Sequence, residues 1–506
     1  VIGRVFSLPS RATLQMALLL SMLAGFSLIA GAAIGLLGTK AAAGVIGATA
    51  IAVLFFVPPR LLVWAMLGIA FIIVGQAIYF LRFEQANWLP ALLGLVLYLR
   101  LPMEALIHGD ERATHGQAVL PVTLLLGFIL VGVFSSALYW AGLWQFMLGG
   151  KDYLWILSFF FFLLLTQRDL SLYQRALSLV PWAMIGQVPF VLYQALFIVP
   201  KRTVGARWDS VVGAFGGDPQ GGGASGAMAI FLLIGFFACL GLYRQGRMSR
   251  TLFWAATLSA LLCIGLAEVK VVFMLTPLLA LYLYADVLFR RPLQFAIGAI
   301  VLLLLLWGGL TVYFKQFGEN QVQHDLPSYI EHTIELTVDP TMINRETGEM
   351  GRVAAIALWA DRHFGRDVHG TLFGHGVGSV KTAKTMIGSE ARRYYPQFRL
   401  ARSSLAILLW ETGVVGTALL CGFFLVLGQR ARRLAARLGD TSFHAPWLRA
   451  TSAAMLSAVL LLIYNTDVMS VPVMQVFLLF LASYAVLAGG QATQGEPGRR
   501  GEAYAS

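Results

Sequence analysis

Apolar runs of about 17 to 25 residues recur along most of this chain, and each is long enough to cross a hydrocarbon core as a single helix. In lipid an unpaired backbone amide or carbonyl costs several kcal/mol, so such a run is stable only if it satisfies its own hydrogen bonds as a helix. Composition agrees: 58% of residues are hydrophobic and 12% charged, with a mean hydropathy of +0.75, outside the range of soluble globular proteins. The expected fold is all-α, a polytopic transmembrane helical bundle of about 12 to 14 spans with one large, mainly helical periplasmic loop.

The spans expected are Leu14–Leu37, Ala41–Val57, Leu61–Phe80, Trp88–Ile107, Ala118–Tyr139, Leu154–Thr166 and Ala176–Val199. Then come Ala227–Tyr243, Thr251–Leu266, Val271–Leu288, Leu293–Tyr313, Ser403–Leu427, Ala450–Leu462 and Val471–Leu487. The fourth carries Arg100 and Glu104, and charge at that depth must be paired, interfacial or turned to a polar cavity. No cleavable signal peptide is expected ahead of the first span.

Positive flanks stay cytoplasmic. Arg4 and Arg11, Arg168 and Arg175, YRQGRMSR ending at Arg250, FRRP around Arg290 and QRARRLAAR from Gln429 all fall on one side if the spans alternate. Both termini are then cytoplasmic. The organisation expected is residues 1–313 as membrane helices with short loops, 314–402 as the periplasmic loop, 403–488 as further membrane helices and 489–506 as a disordered cytoplasmic tail. The formal charge of +12 fits this topology and contact with anionic membrane lipids, not nucleic acid. Cys239, Cys263 and Cys421 all lie in expected helices and read as packing residues.

Five of the eight histidines fall between Phe314 and Arg402, so chemistry is expected there. GEMGRVAAIALWADRHF spaces Val353, Ile356, Ala357, Ala360 and Phe364 as one helical face, to be laid on the membrane domain. Trp359 on this helix reads as an interface anchor or a sugar platform. The following FGHGVGS, Phe373–Ser379, is expected to be tight backbone leading into a short helix, with Lys381 and Lys384 adding charge. The histidines are scattered along the chain, so no metal or other cofactor is expected, and activity should survive chelation.

Three other outer stretches carry charge. KRTVGARWDSVVGAFGGDPQGGGASG holds Arg202 and Arg207 ahead of a glycine-rich turn; it lacks the GKS or GKT of a nucleotide loop and reads either as a flexible connector or as part of a site. The turn AEVK sets Glu268 and Lys270 at the membrane edge, either paired with each other or free for a lipid diphosphate. LARSSLAILLWETGVVG begins a helix at Arg402, whose charge opposes the helix dipole and so calls for an anionic partner. Glu411, two turns in, either buttresses Arg402 or meets substrate.

The order of these elements resembles the O-antigen ligase and Wzy-type polysaccharide polymerase superfamily. The elements are RWD at 207–209, VVGAFGGDPQ at 211–220, the AEVK turn, Gly351-Arg352 with Trp359, LFGHGVGS at 372–379 and LAILLWETGVVG at 405–416. The resemblance covers residues 202–416. It implies a metal-independent glycosyltransferase of the bacterial inner membrane, taking glycan from an undecaprenyl-diphosphate-linked oligosaccharide to a glycan acceptor on the periplasmic face, with other envelope-polysaccharide assembly proteins as further partners. Arg207, Lys270 and Arg352 would hold the diphosphate, with Arg202, Gly374, Gly376 and Glu411 as further substrate-binding positions. Ligases of this family carry a histidine just ahead of the last helix, where this chain has Arg402, Ser403 and Ser404. Catalysis is therefore assigned either to His375, or to Arg402 on the diphosphate with Glu268 deprotonating the acceptor. Polymerase and O-antigen ligase both stay open, as do a lipid-linked sugar transporter and a structural scaffold.

Overall fold

The computed structural model describes residues 53–108, 115–167, 169–201, 210–217, 224–267, 269–290, a few positions between 292 and 311, 335, 337–344, 350–383, 386–394, 397–439 and 442–494. The spans expected at Leu14–Leu37, Ala41–Val57 and Leu293–Tyr313 fall wholly or mostly outside these residues, as do Arg202, Arg207, Glu268 and Lys384. The chain divides into two compact units, Val1–Leu62 and Val63–Ser506. Of the first, the structure describes residues 53–62, helical at 53–56 and again from Pro59. The second contains the bundle and every residue of the candidate site.

The architecture is an all-α polytopic bundle. The helices are α1 (Pro59–Leu81, with a π-helical stretch at Ile69–Ile73), α2 (Trp88–His108), α3 (His115–Leu138), α4 (Leu143–Asp152), α5 (Ser158–Thr166), α6 (Ser171–Ser178) and α7 (Val180–Tyr193). Next come α8 (Ser225–Arg244), α9 (Arg250–Leu266) and α10 (Val271–Arg290). Outside the bundle follow α11 (Arg352–His363), α12 (Val368–Phe373), a two-stranded ribbon β1 (Thr382–Ala383) and β2 (Met386–Ile387), and α13 (Ser389–Tyr394). The chain then returns as α14 (Ser404–Leu438), α15 (His444–Tyr464), α16 (Asp467–Ser470) and α17 (Pro472–Gln494). Eight helices among the described residues are long and apolar enough to span a membrane, or nine if one bent pair counts as a span. The buried charge in α2 is resolved as an ion pair, Arg100 Nη2 to Glu104 Oε1 at 2.5 Å. Cys239 and Cys263 are buried, and all three cysteines are free.

Three expected spans take a different form. Leu154–Thr166 is the second half of a broken span: α4 and the helix from Trp155 to Thr166 meet at 51°, at the point where Lys151 and Asp152 end the apolar run. Ala176–Val199 belongs to a longer helical stretch, Ser171–Lys201, which contains a π-helical turn at Gln194–Ile198. The span expected at Ser403–Leu427 is the front of the 35-residue α14, kinked at Gly413, where φ is 67°. A left-handed glycine inside a helix is a sufficient cause for that kink.

The glycine-rich stretch after Arg207 is not a flexible connector where it is described. Ser210 to Gly216 folds back among the helices, with Val211, Val212, Gly213, Ala214 and Phe215 all buried. Its buried amides need partners, and two glutamines supply them. Gln194 Oε1 accepts from Val212 N at 2.9 Å and Gly213 N at 2.8 Å, Gln194 Nε2 donates to Gly213 O at 2.9 Å, and Gln187 Oε1 accepts from Ala214 N at 2.7 Å. Gly75 of α1 makes the room, because a Cβ there would stand 1.9 Å from Ala214 O.

Candidate functional site

The loop 373–379 is tight backbone. Gly374, Gly376 and Gly378 have φ of 74°, 89° and 80°, a conformation that only glycine adopts without strain. What comes close is the protein itself. A Cβ on Gly374 would lie 2.4 Å from Glu411 C, on Gly376 3.0 Å from Ser136 Cα, and on Gly378 2.5 Å from Gln145 O. His375 N donates to Trp410 O at 2.7 Å, Gly376 N to Ser135 Oγ at 2.7 Å and Val377 N to Ser136 Oγ at 2.9 Å. The loop is thus bolted to α3, α4 and the kink of α14. It leads into the β1–β2 ribbon rather than directly into a helix, and α13 follows only at Ser389. Lys381 pairs with Asp152.

Glu411 does not buttress Arg402. It is buried beside the loop, accepting from Tyr153 Oη at 2.7 Å and from the Gly378 amide.

The helix α11 presents a face other than the one expected. Ala354, Ala355, Trp359 and His363 are buried, while Val353, Ile356, Ala357 and Ala360 are only partly covered and Phe364 is exposed. The two alanines allow close approach, and Trp359 fills the seat with Val380, Leu400, Ala406 and Trp410. Trp359 is therefore a core residue, stacked on His363 with centroids 5.2 Å apart.

Two groups of polar residues result, one at each end of α11. At its start, Arg352 Nε donates to Tyr464 O, its Nη1 donates to Thr337 Oγ1 at 2.9 Å, and the guanidinium lies 4.1 Å from the Tyr464 ring centroid. Burial lowers the pKa of Arg352, and the nearby charge of Arg402 lowers it further, against an opposing effect of Tyr464. Among the described residues no carboxylate is ion-paired with either arginine. The serines where the resemblance expects a histidine are occupied structurally: Ser403 Oγ caps α14 by accepting from Ala406 N at 3.2 Å, and Ser404 donates twice to Asn465 O, at 2.8 Å from both N and Oγ.

At the other end, His363 and His375 meet. His363 Nδ1 is 2.7 Å from Trp359 O, His363 Nε2 is 3.4 Å from His375 Nδ1, and His375 Nε2 is 3.0 Å from Asp367 Oδ2. Burial lowers both histidine pKa values, that of His375 to about 4 with a further push from His363 and an opposing one from Asp367. Burial alone would raise Asp367, yet the Gly370 amide and His375 leave it below its usual value. Burial also raises Glu390, against the pull of Arg393, whose Nη1 is 3.0 Å from Glu390 Oε1.

At 1.5 Å of rise per residue the eleven steps from Arg352 to His363 span about 16 Å. The structure therefore does not bring His375, with Gly374, Gly376 and Glu411, to the guanidinium pair. Lys270 follows α9 in the short turn before α10, at the end of the bundle where α8 begins. His363 and Asp367 were missed by sequence reasoning, although their i, i+4 spacing in DRHFGRD was visible.

Asp467 was missed too. It is buried against the start of α8, accepting from Asn465 Nδ2 at 2.7 Å and from the Ala227 amide, and Gly226 leaves it room, since a Cβ there would be 2.4 Å from Asp467 Oδ2. Burial raises its pKa to about 7, against these hydrogen bonds. The folded value lies above the unfolded one, so the contribution to stability is complete at low pH and is lost as pH rises through about 7. The melting temperature in detergent should therefore fall by several degrees between about pH 5 and about pH 8, and Asp467→Asn should flatten that fall. An unchanged slope in the variant would assign the titration elsewhere.

No family model matches this chain, and no curated protein matches it.

Proposed function

We propose that this is a bacterial inner-membrane glycosyltransferase that transfers or polymerises glycan from an undecaprenyl-diphosphate-linked donor on the periplasmic face. The observation that carries the reading is the pair Arg352 and Arg402. The charge of Arg402 lowers the pKa of the Arg352 guanidinium, and among the described residues no carboxylate is ion-paired with either arginine. Holding like charges together is costly unless an anion joins them. A diphosphate fits, because guanidinium contacts to it strengthen as negative charge grows on the leaving group.

Orientation supports this. Arg244, Arg247 and Arg250, together with Arg430, Arg432, Arg433 and Arg437, gather between α8 and α9 and at the far end of α14. Alternating helices set the start of α14 and the AEVK turn at the opposite end, and the positive-inside rule makes that end periplasmic. Lys270 and Arg207 are proposed as further diphosphate ligands, and Glu268 as the base for the acceptor hydroxyl. With Ser403 and Ser404 committed to the helix start, polymerase is preferred over O-antigen ligase.

Purified protein in liposomes, given an undecaprenyl-diphosphate oligosaccharide without nucleotide, should release undecaprenyl diphosphate and yield a ladder of longer lipid-linked glycans. A single transfer to another acceptor means ligase. Movement of intact donor across the bilayer without release of diphosphate would instead support a transporter, a reading favoured by the broken span of α4 and α5 and by the segment 210–216 folded among the helices.

A further inference from the structure

The two imidazoles at the end of α11 are held so that lone pairs converge. His363 Nδ1 faces the Trp359 carbonyl, which only accepts, so the His363 proton is on Nδ1 and its Nε2 carries a lone pair. His375 Nε2 faces the Asp367 carboxylate, also an acceptor, so its proton is on Nε2 and its Nδ1 carries a lone pair. Those two lone pairs point at each other across 3.4 Å. Three links join four groups, while two neutral imidazoles bring two protons. The middle link is left without one.

That gap has the dimensions of a metal site. An ion bound to both nitrogens at about 2.0 to 2.1 Å would see them about 110° apart, close to tetrahedral. His363, His375 and Asp367 each offer one ligand atom within 4.8 Å of the other two. The contact of Asp367 with His375, like that of the Trp359 carbonyl with His363, is the outer partnership that orients metal-ligating imidazoles. Gly370 lets Asp367 and His375 meet, because a Cβ there would be 2.5 Å from His375 Cε1 and 2.2 Å from Asp367 Oδ2. Asp367 is about one-third exposed, which leaves a route for an ion and for waters to complete its coordination.

We propose that His363 Nε2 and His375 Nδ1 bind one divalent transition-metal ion of the zinc class, with Asp367 fixing the His375 tautomer and supplying neutralising charge. Nitrogen donors of this kind select zinc and cobalt over magnesium or calcium. The ion ties the end of α11 to the glycine loop. It sits about 16 Å along α11 from Arg352, so its role is structural, and it stands whether or not the glycosyltransferase reading does.

The test uses the full chain, purified in detergent without a polyhistidine tag and stripped with EDTA. Cobalt titration should give a visible ligand-field band that saturates at one equivalent and is displaced by zinc. His363→Gln and His375→Gln should each abolish saturable binding, Asp367→Asn should weaken it about 10- to 100-fold, and His369→Gln, at an exposed position, should leave it unchanged. X-ray absorption of the zinc-loaded wild-type protein, which needs no variant to fold, should count two imidazole ligands near 2.0 Å. Absence of saturable binding, a band that survives the double histidine variant, or a spectrum with fewer than two imidazoles would overturn the proposal.

Discussion

If the proposed glycan transfer is this protein's activity, Arg402→Ala should lower release of undecaprenyl diphosphate by on the order of 10²-fold or more, the loss expected when a charge partner of the transition state is removed. Arg402 is exposed, and the cap of α14 is provided by Ser403, so the variant should insert and melt as the wild type does. Arg352 contributes to packing through Tyr464 and Thr337, which makes Arg352→Lys the better substitution there. Lysine keeps the charge, loses the bidentate fork, and should cost a similar factor. Melting temperature and membrane yield, measured alongside turnover, separate lost chemistry from lost protein. If both variants turn over normally, the guanidinium pair holds no diphosphate and the transporter reading takes precedence.

Gly374→Val should yield no stably folded protein. Its Cβ would be 2.4 Å from Glu411 C and 2.5 Å from Thr412 N, both backbone atoms that cannot swing aside, at a φ of 74°. Gly413→Val should fail in the mirrored sense, since its Cβ would be 2.4 Å from Leu372 C. Gly365→Ala is the control: φ is 73° but nothing lies within 4 Å, so it should cost about 1 to 2 kcal/mol of backbone strain and no more. Yield in membranes and monodispersity on size exclusion give the measurement. Accumulation of Gly374→Val at wild-type levels would mean that the loop is not seated on α14.

Long apolar runs made the bundle legible, because hydropathy alone decides whether a segment can sit in lipid. Bends were not, since a 51° break depends on what the backbone meets. Gly413 reads in sequence as one more small residue in an apolar run; only the approach of Leu372 and Phe373 reveals why it is left-handed. The face of α11 was misread because periodicity counts apolar residues and ignores size, whereas Ala354 and Ala355 are buried for being small and His363 for having a partner. The meeting of His363 with His375 requires a helix end, a capped turn at Asp367 and three glycines to fold together, and no spacing rule encodes that. Arg352 was singled out by the resemblance and Arg402 by its place at a helix start, but the influence of one charge on the other depends on tertiary structure.

The kink in α14 carries an implication for assembly. The carbonyls of Trp410 and Glu411 accept from His375 N and Gly376 N, and Glu411 O also from Ser135 Oγ at 3.0 Å. A helix bent this way, surrounded by acyl chains alone, would hold backbone oxygens with nothing to bind, which lipid does not tolerate. The bend of α14 is therefore expected to rest on residues 374–376 and on Ser135 of α3, which complete its hydrogen bonds, so that the shape of this helix would be coupled to the docking of the loop that precedes it in the chain.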